Sequence, residues 1–287
     1  MIKIAHIINP FKPLKNSDLQ YAQHITFESI RRAKGQVQDN INIQVLCACY
    51  QEDKDIIPSD FEKLPHLTES VLDFQQFKHP RKLPIIREIL EKAFQYSNAD
   101  YFIYTNIDIS LYPNFYTQII EHLENGHDAL IINRRRIPVI HTRVEDIEKI
   151  YLQTGKSHPG FDCFVFHKSL IPQFFLSNIC VGVPFFEISF SQNLFCYAQS
   201  LLWIQDGNQT FHIGMEIFKK RQPRTYFKYN KYEWRKVESK LYKDMSLKKI
   251  PYAEQCIIQR FIKWGFHPCF PIRLMIRLQW KQWFCPK

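Results

Sequence analysis

Along much of this chain, runs of β-branched and aromatic residues that stop at polar turns alternate with stretches whose apolar residues recur every three or four positions. Residues 2–8 (IKIAHII), ended by Asn9-Pro10, and residues 41–49 (INIQVLCAC) read as buried strands. Between them Ser17 and Gln20 have capping-box spacing, and Tyr21, Ala22, Ile25, Ser29 and Ile30 share one helical face. The segment 50–80 is polar and irregular, with 69–74 (ESVLDF) predicted as a short strand. A helix is predicted from Pro84, with Ile85, Ile86, Ile89, Leu90 and Ala93 inward.

Residues 100–105 (DYFIYT) give another strand, ending in Asn106-Ile107-Asp108. A helix from Pro113 to before Gly126 and a strand over 128–133 (DALIIN) follow. Further on, 162–166 (DCFVF) reads as a short strand, Pro184 to Ala198 as a helix, and 201–204 as a strand, before the turn at Asp206-Gly207 and the sequence Phe211-His212-Ile213-Gly214. Strands alternating with helices predict a layered α/β fold: a mostly parallel central sheet flanked by helices. Ligands in such sheets bind beyond the carboxyl ends of the strands, where the Asn-Ile-Asp turn falls.

Charge divides the chain. From Lys219 onward there are 18 Lys or Arg against 4 Asp or Glu, whereas the first 218 residues carry 20 against 24. The net charge of +10 therefore belongs to a tail, which also carries many aromatic residues. We expect a main domain over residues 1–217 and a basic, aromatic-rich extension over 218–287. Basic residues interleaved with aromatics suit a membrane interface, a single-stranded nucleic acid, or a plain packed helix. With 8 glycines, no GxGxxG and no GxxxxGK[ST], the dinucleotide and P-loop classes lose their main support. No apolar run is long enough for a membrane span, no secretory signal is recognised, and the 8 cysteines form no CxxC pair. A cytoplasmic chain, peripheral on the inner face of a membrane, is the expectation.

A carboxylate just beyond a strand, two positions from a side-chain amide, suits a sugar-diphosphate site, because Mg²⁺ or Mn²⁺ is held by one or two carboxylates plus substrate phosphates. Asn106-Ile107-Asp108 resembles the DxD motif of the Rossmann-like GT-A glycosyltransferases, with Asn replacing the first Asp. Thr210-Phe-His-Ile-Gly214 resembles their C-terminal histidine element, and Ser157-His-Pro-Gly-Phe-Asp162 their acceptor-side loop. The resemblance implies a GT-A fold and Asp108 and His212 as ligands of Mn²⁺ or Mg²⁺. It further implies His158 and Gly160 near the donor sugar and Asp162 as a general base or hydroxyl-binding residue, with Glu187 competing for that role. Asn9, Pro10, Tyr50 and Glu52 would flank the base and ribose, joined by Asn106, while Arg81, Lys82 and Arg87 would approach the diphosphate. The implied reaction moves a sugar from a nucleotide-sugar donor to a glycan or lipid-linked acceptor.

Each residue also has a structural reading. Asp108 suits an Asx turn, His212 a core imidazole bonded to a carbonyl, Asp162 a helix N-cap, and Glu187 a first-turn carboxylate favoured by the helix dipole. A nucleotidyltransferase of similar sheet is the rival enzyme, although its glycine-rich N-terminal loop is replaced here by Asn9-Pro10-Phe11-Lys12-Pro13. A basic binding protein for nucleic acid or membrane is the rival of another class, and nucleic acid is the partner least expected because only the tail is basic.

Overall fold

In the computed structural model, residues 2–13, 17–38, 41–214 and 223–284 are described. The expected boundary at 217/218 lies outside them. The strands are β1 (Lys3–Ile8), β2 (Asn42–Cys47), β3 (Glu62–Lys63), β4 (Tyr101–Thr105), β5 (Ser110–Leu111), β6 (Ala129–Ile137), β7 (Lys156–His167), β8 (Leu201–Ile204) and β9 (Thr210–Ile213). They form one sheet in the order β3-β2-β1-β4-β7-β6-β9-β5, with β8 also paired to β6. The pairings among β3, β2, β1 and β4 are parallel, as are those of β6 with β8 and β9. β7 runs antiparallel to both of its neighbours, and β5 antiparallel to β9.

Two apolar layers cover the sheet because successive side chains on a strand face opposite ways. Ala5, Ile7, Phe102, Tyr104, Ala129 and Ile131 enter one cluster, with Ile89 and Leu90 of α2 (Ile86–Tyr96) and Phe190 and Leu194 of α5 (Phe186–Tyr197). Ile4, Ile8, Ile103, Leu130 and Ile132 enter the other, with Phe27 and Ile30 of α1 (Asp18–Gly35) and Ile119 of α3 (Phe115–Glu124). The short α4 (Ile147–Tyr151) packs near the β9 edge. Three further helices, α6 (Arg224–Leu241), α7 (Ile257–Phe266) and α8 (Ile272–Phe284), send Trp234, Val237, Trp264, Leu274 and Leu278 into the first cluster.

Polar contacts set the end of β4. Buried His6 bonds Thr105 Oγ1 at 2.9 Å and the Tyr116 hydroxyl at 2.7 Å, and burial lowers its pKa to about 3, so the imidazole is neutral. The helix α1 braces β5: Leu111 N donates to Ser29 Oγ at 3.0 Å, and Thr26 and Ser110 hydroxyls lie 3.0 Å apart. The four-residue link between β4 and β5 is thereby held at both ends.

Some local expectations fail. Residues 69–74 are not a strand: Val71–Asp73 is a 3₁₀ turn capped by Ser70, whose backbone N donates to Asp73 Oδ2 at 2.6 Å. Side-chain capping there competes with sheet pairing. Ser17 accepts from Leu19 N at 3.4 Å, a simple N-cap at the predicted place. The predicted strand at 128–133 extends to Ile137, so Arg134, Arg135 and Arg136 lie within β6 and not beyond it. Pro159-Gly160, a local turn signal, lies within β7, where register shifts against β6 absorb the irregular residues.

Candidate functional site

The antiparallel pair of β5 with β9, Ser110 opposite Phe211, brings the turn after β4 against the C-terminal histidine. His212 Nε2 lies 3.1 Å from Asp108 Oδ2, and its Nδ1 lies 2.8 Å from the Gly214 carbonyl oxygen. Gly214 has φ +88°, a conformation that suits glycine. Because a carbonyl accepts hydrogen bonds and cannot donate, Nδ1 carries the proton, and Nε2 in the neutral ring turns its lone pair on the carboxylate. A proton or a cation must then sit between Nε2 and Oδ2. Burial raises the Asp108 pKa, but the His212 contact and the charges of His212 and Arg134 outweigh it and leave it lowered.

A second group is built by the irregular pairing of β6 with β7. Ile132 pairs with Cys163 and Asn133 with Phe161, so Asp162 is the unpaired residue of a bulge. Bulges re-aim side chains, and Asp162 forms a buried ion pair with Arg134 through Oδ1. Its Oδ2 is buried and accepts no hydrogen bond. The nearest imidazole nitrogen, His158 Nδ1, is 3.5 Å away and already accepts the Gly160 N–H at 2.9 Å. A Cβ on Gly160 would come within 2.5 Å of His158 Cε1, so any side chain there would displace the imidazole from this position. Burial also raises Asp162, but Arg134 and His158 outweigh it and its pKa is lowered.

Glu187 lies half-buried in the first turn of α5, just after Phe185, which holds φ +80°. Strained residues of this kind persist where the surroundings over-determine them, often beside functional groups. Burial and the charges of Asp162 and Asp108 raise Glu187 to about 7, against the opposing effects of its backbone N–H and Arg134. Three carboxylates thus share one field with one guanidinium, and their pKa values are driven apart: two ionised, one titrating near neutrality. Among the described residues no group of three or more His, Cys, Asp or Glu is arranged to hold a metal ion. Any ion here would have Asp108 and His212 as its protein ligands. Two donors about 2.1 Å from an octahedral ion sit about 3 Å apart, so the observed pair fits that use.

The other predicted residues are bonded elsewhere in the fold. Asn9 Nδ2 donates to the Ala48 carbonyl at 2.6 Å, tying the ends of β1 and β2, and Pro10 follows it. The Tyr50 hydroxyl donates to the Glu69 carbonyl at 2.8 Å, and Lys82 Nζ lies 3.9 Å above its ring while pairing with Glu52 at 2.5 Å. Arg87 pairs with Glu69 at 2.5 Å and Glu91 at 3.1 Å. The Arg81 backbone N donates to the Tyr226 hydroxyl at 2.7 Å. Asn106 Oδ1 accepts from Tyr104 at 3.3 Å. The structure thus joins Asp108 to His212 and sets Asp162, His158 and Gly160 together with Glu187 in their field, while the Tyr50 group is a separate cluster.

Sequence reading did not foresee the pairing of Arg134 with Asp162, or that residues 267–270 of the C-terminal region pack beside this strand. The His267 and Phe270 rings lie 5.1 and 5.8 Å from Phe161, and burial together with the nearby His158 lowers His267 to about 4. Arg134 is the first of three consecutive arginines after the apolar run 128–133, and nothing local sets it apart from the other two.

No family model matches the sequence, and no curated protein sequence does either. Among solved structures, TarS residues 1–349 from S. aureus in complex with UDP superposes with a TM-score of 0.50 at 7% identity, covering 98% of this chain and 72% of that one. The same protein in complex with UDP-GlcNAc gives 0.46 at 9% identity, covering 98% and 85%. The 4-diphosphocytidyl-2C-methyl-D-erythritolsynthase of Anaerococcus prevotii gives 0.40 at 12% identity, covering 80% and 98%. Likeness at such identities concerns the fold, and the fold is GT-A glycosyltransferase-like: mixed α/β with a curled, mostly parallel sheet and flanking helices.

Proposed function

We propose that the chain is a glycosyltransferase that moves a sugar from a nucleotide-sugar donor to a hydroxyl of a glycan or lipid-linked glycan, with Asp108 and His212 as the protein ligands of Mn²⁺ or Mg²⁺. The observation that carries this reading is the contact of His212 Nε2 with Asp108 Oδ2 beyond the carboxyl end of β4, with Nδ1 fixed by a backbone carbonyl. Such a backbone bond orients a ligating imidazole. The ion, when bound, offsets charge on the departing diphosphate. One carboxylate oxygen and one imidazole nitrogen are donors that would suit Mn²⁺ or Mg²⁺.

The chain's own groups divide the remaining work. Asp162, ionised and anchored by Arg134, offers its unbonded Oδ2 to a sugar hydroxyl. Glu187, titrating near 7, takes the proton of the attacking hydroxyl as that oxygen bonds to the anomeric carbon and the bond to the diphosphate oxygen breaks. In this reading His158 and Gly160 line the donor sugar, and Asn106 meets the ribose. Asn9, Pro10, Tyr50 and Glu52 border the base and ribose, with Arg81, Lys82 and Arg87 on the diphosphate side. Residues 1–217 carry the reaction and 218–287 extend it.

A thermal-shift series tests the reading. Nucleoside diphosphates and sugar nucleotides are titrated with and without Mn²⁺, because a ligand that binds the folded state raises the melting temperature by mass action. The expected result is a rise for a sugar nucleotide that grows with Mn²⁺ and a product carrying the transferred sugar. No metal-dependent shift with any sugar nucleotide, or release of pyrophosphate from a nucleoside triphosphate, would overturn it.

A further inference from the structure

The two last helices turn apolar side chains outward. On α7, Ile258, Ile262 and Phe266 recur every four residues opposite the buried Trp264 and are 70%, 52% and 87% exposed. On α8, Ile276, Trp280 and Trp283 lie opposite the buried Leu274 and Leu278 and are 43%, 56% and 54% exposed. Helices of 10 and 13 residues are too short to cross a bilayer, and no helix among the described residues is long and apolar enough to do so. Neither helix carries an acidic residue. Exposed Lys263 and Arg273 flank the apolar stripes, and no carboxylate pairs with either among the described residues.

We propose that α7 and α8 form a docking face for an anionic lipid surface, on which the helices lie in the interfacial plane. Tryptophan, isoleucine and phenylalanine enter the headgroup boundary, and the cations meet lipid phosphates. Charge decides the occupant. A second copy of the chain would bring two acid-free, lysine- and arginine-bearing faces together, whereas protein interfaces are depleted of lysine and set opposite potentials against each other. An anionic bilayer supplies the missing negative charge and the apolar boundary at once. This inference does not depend on the transfer reaction.

Co-sedimentation of the full chain with vesicles of phosphatidylcholine alone, and of phosphatidylcholine with phosphatidylglycerol, tests it. Binding to the anionic vesicles is expected, weakening with salt. The triple variant Ile262→Ser, Trp280→Ser, Trp283→Ser and the double variant Lys263→Glu, Arg273→Glu should each lower that binding by about tenfold or more. All five side chains are solvent-exposed, and unchanged circular-dichroism melting shows that the fold survives. Absence of binding by the wild-type chain, or equal binding by the triple variant, would overturn the proposal. So would a wild-type dimer in sedimentation velocity that the triple variant converts to monomer without any vesicle binding, because a second copy then covers the face.

Discussion

The two sides of the sheet's carboxyl edge use polar side chains differently. Around Tyr50, the predicted donor residues already have partners within the fold: Lys82 with Glu52 and the Tyr50 ring, Arg87 with Glu69 and Glu91, Asn9 with the Ala48 carbonyl. Around Asp108 bonding capacity is left over. Asp162 Oδ2 has no donor, His212 Nε2 faces a carboxylate, and Glu187 is raised to about 7 by burial and neighbouring acids. Buried polar groups normally find partners, so a ligand at the Asp108 side would complete bonds that the fold leaves open, whereas a donor at the Tyr50 side would have to exchange bonds already made.

The sharpest way to break this contrast is to disturb the buried ion pair of Arg134 with Asp162. Arg134→Ala leaves Asp162 charged and buried, a loss expected to cost about 3–5 kcal/mol, whereas the paired Arg134→Met, Asp162→Leu chain should be far closer to wild type in stability. Urea denaturation of the three proteins decides it; equal stability of the single and double variants would remove the buried pair from the account. Next in size, Asp108→Asn should lower turnover by about 10²–10³-fold, with melting temperature in the absence of ligand little changed, and His212→Ala should lower turnover alike. Retained turnover in both would mean that their contact is architectural.

How much of this was legible in the sequence follows from range. The strands IKIAHII and DYFIYT and the helices from Ser17 and Pro84 are written in local periodicity, and they appear at nearly the predicted places. Asp108 and His212 were legible as residue types at strand ends, but their 3.1 Å contact depends on β5 pairing with β9 across about a hundred residues, which no local pattern encodes. The bulge that frees Asp162 was hidden for the opposite reason. Pro159-Gly160 carries a strong local turn signal, and long-range pairing of β7 with β6 overrode it. Glu187 was visible as a first-turn carboxylate, but its raised pKa comes first from burial and then from Asp162 and Asp108, which only the tertiary fold brings near.

That raised pKa gives a prediction of intermediate size. If Glu187 accepts the proton, activity rises with pH through about 7, because the ionised form is the base, and Glu187→Gln loses about 10²-fold in turnover and the limb near 7. The stability sign runs the other way. A carboxyl held protonated in the fold above its ordinary range contributes stability that is fully present below the unfolded pKa near 4.5 and is lost as pH rises through about 7. Melting temperature of the wild type should therefore fall across that window relative to Glu187→Gln. Parallel curves for the two proteins would show that Glu187 titrates where an ordinary carboxyl does.

The smallest expected effect tests the Tyr50 side. Lys82 is about half exposed and pairs with an exposed Glu52, a contact worth about 0–1 kcal/mol, and its approach to the Tyr50 ring adds a cation–π contribution of similar size. Lys82→Ala should thus shift stability by about 1 kcal/mol or less. If these residues are architecture, the variant's KM for the sugar nucleotide stays within about threefold of wild type, as expected for loss of a solvated contact. If instead Lys82 leaves Glu52 to meet the diphosphate, KM rises by about tenfold or more, and the rise shrinks at high salt, because a screened charge was lost. The second result would move Lys82, and the uncovered face of Tyr50 with it, to the side of the molecule whose bonds are completed by the donor.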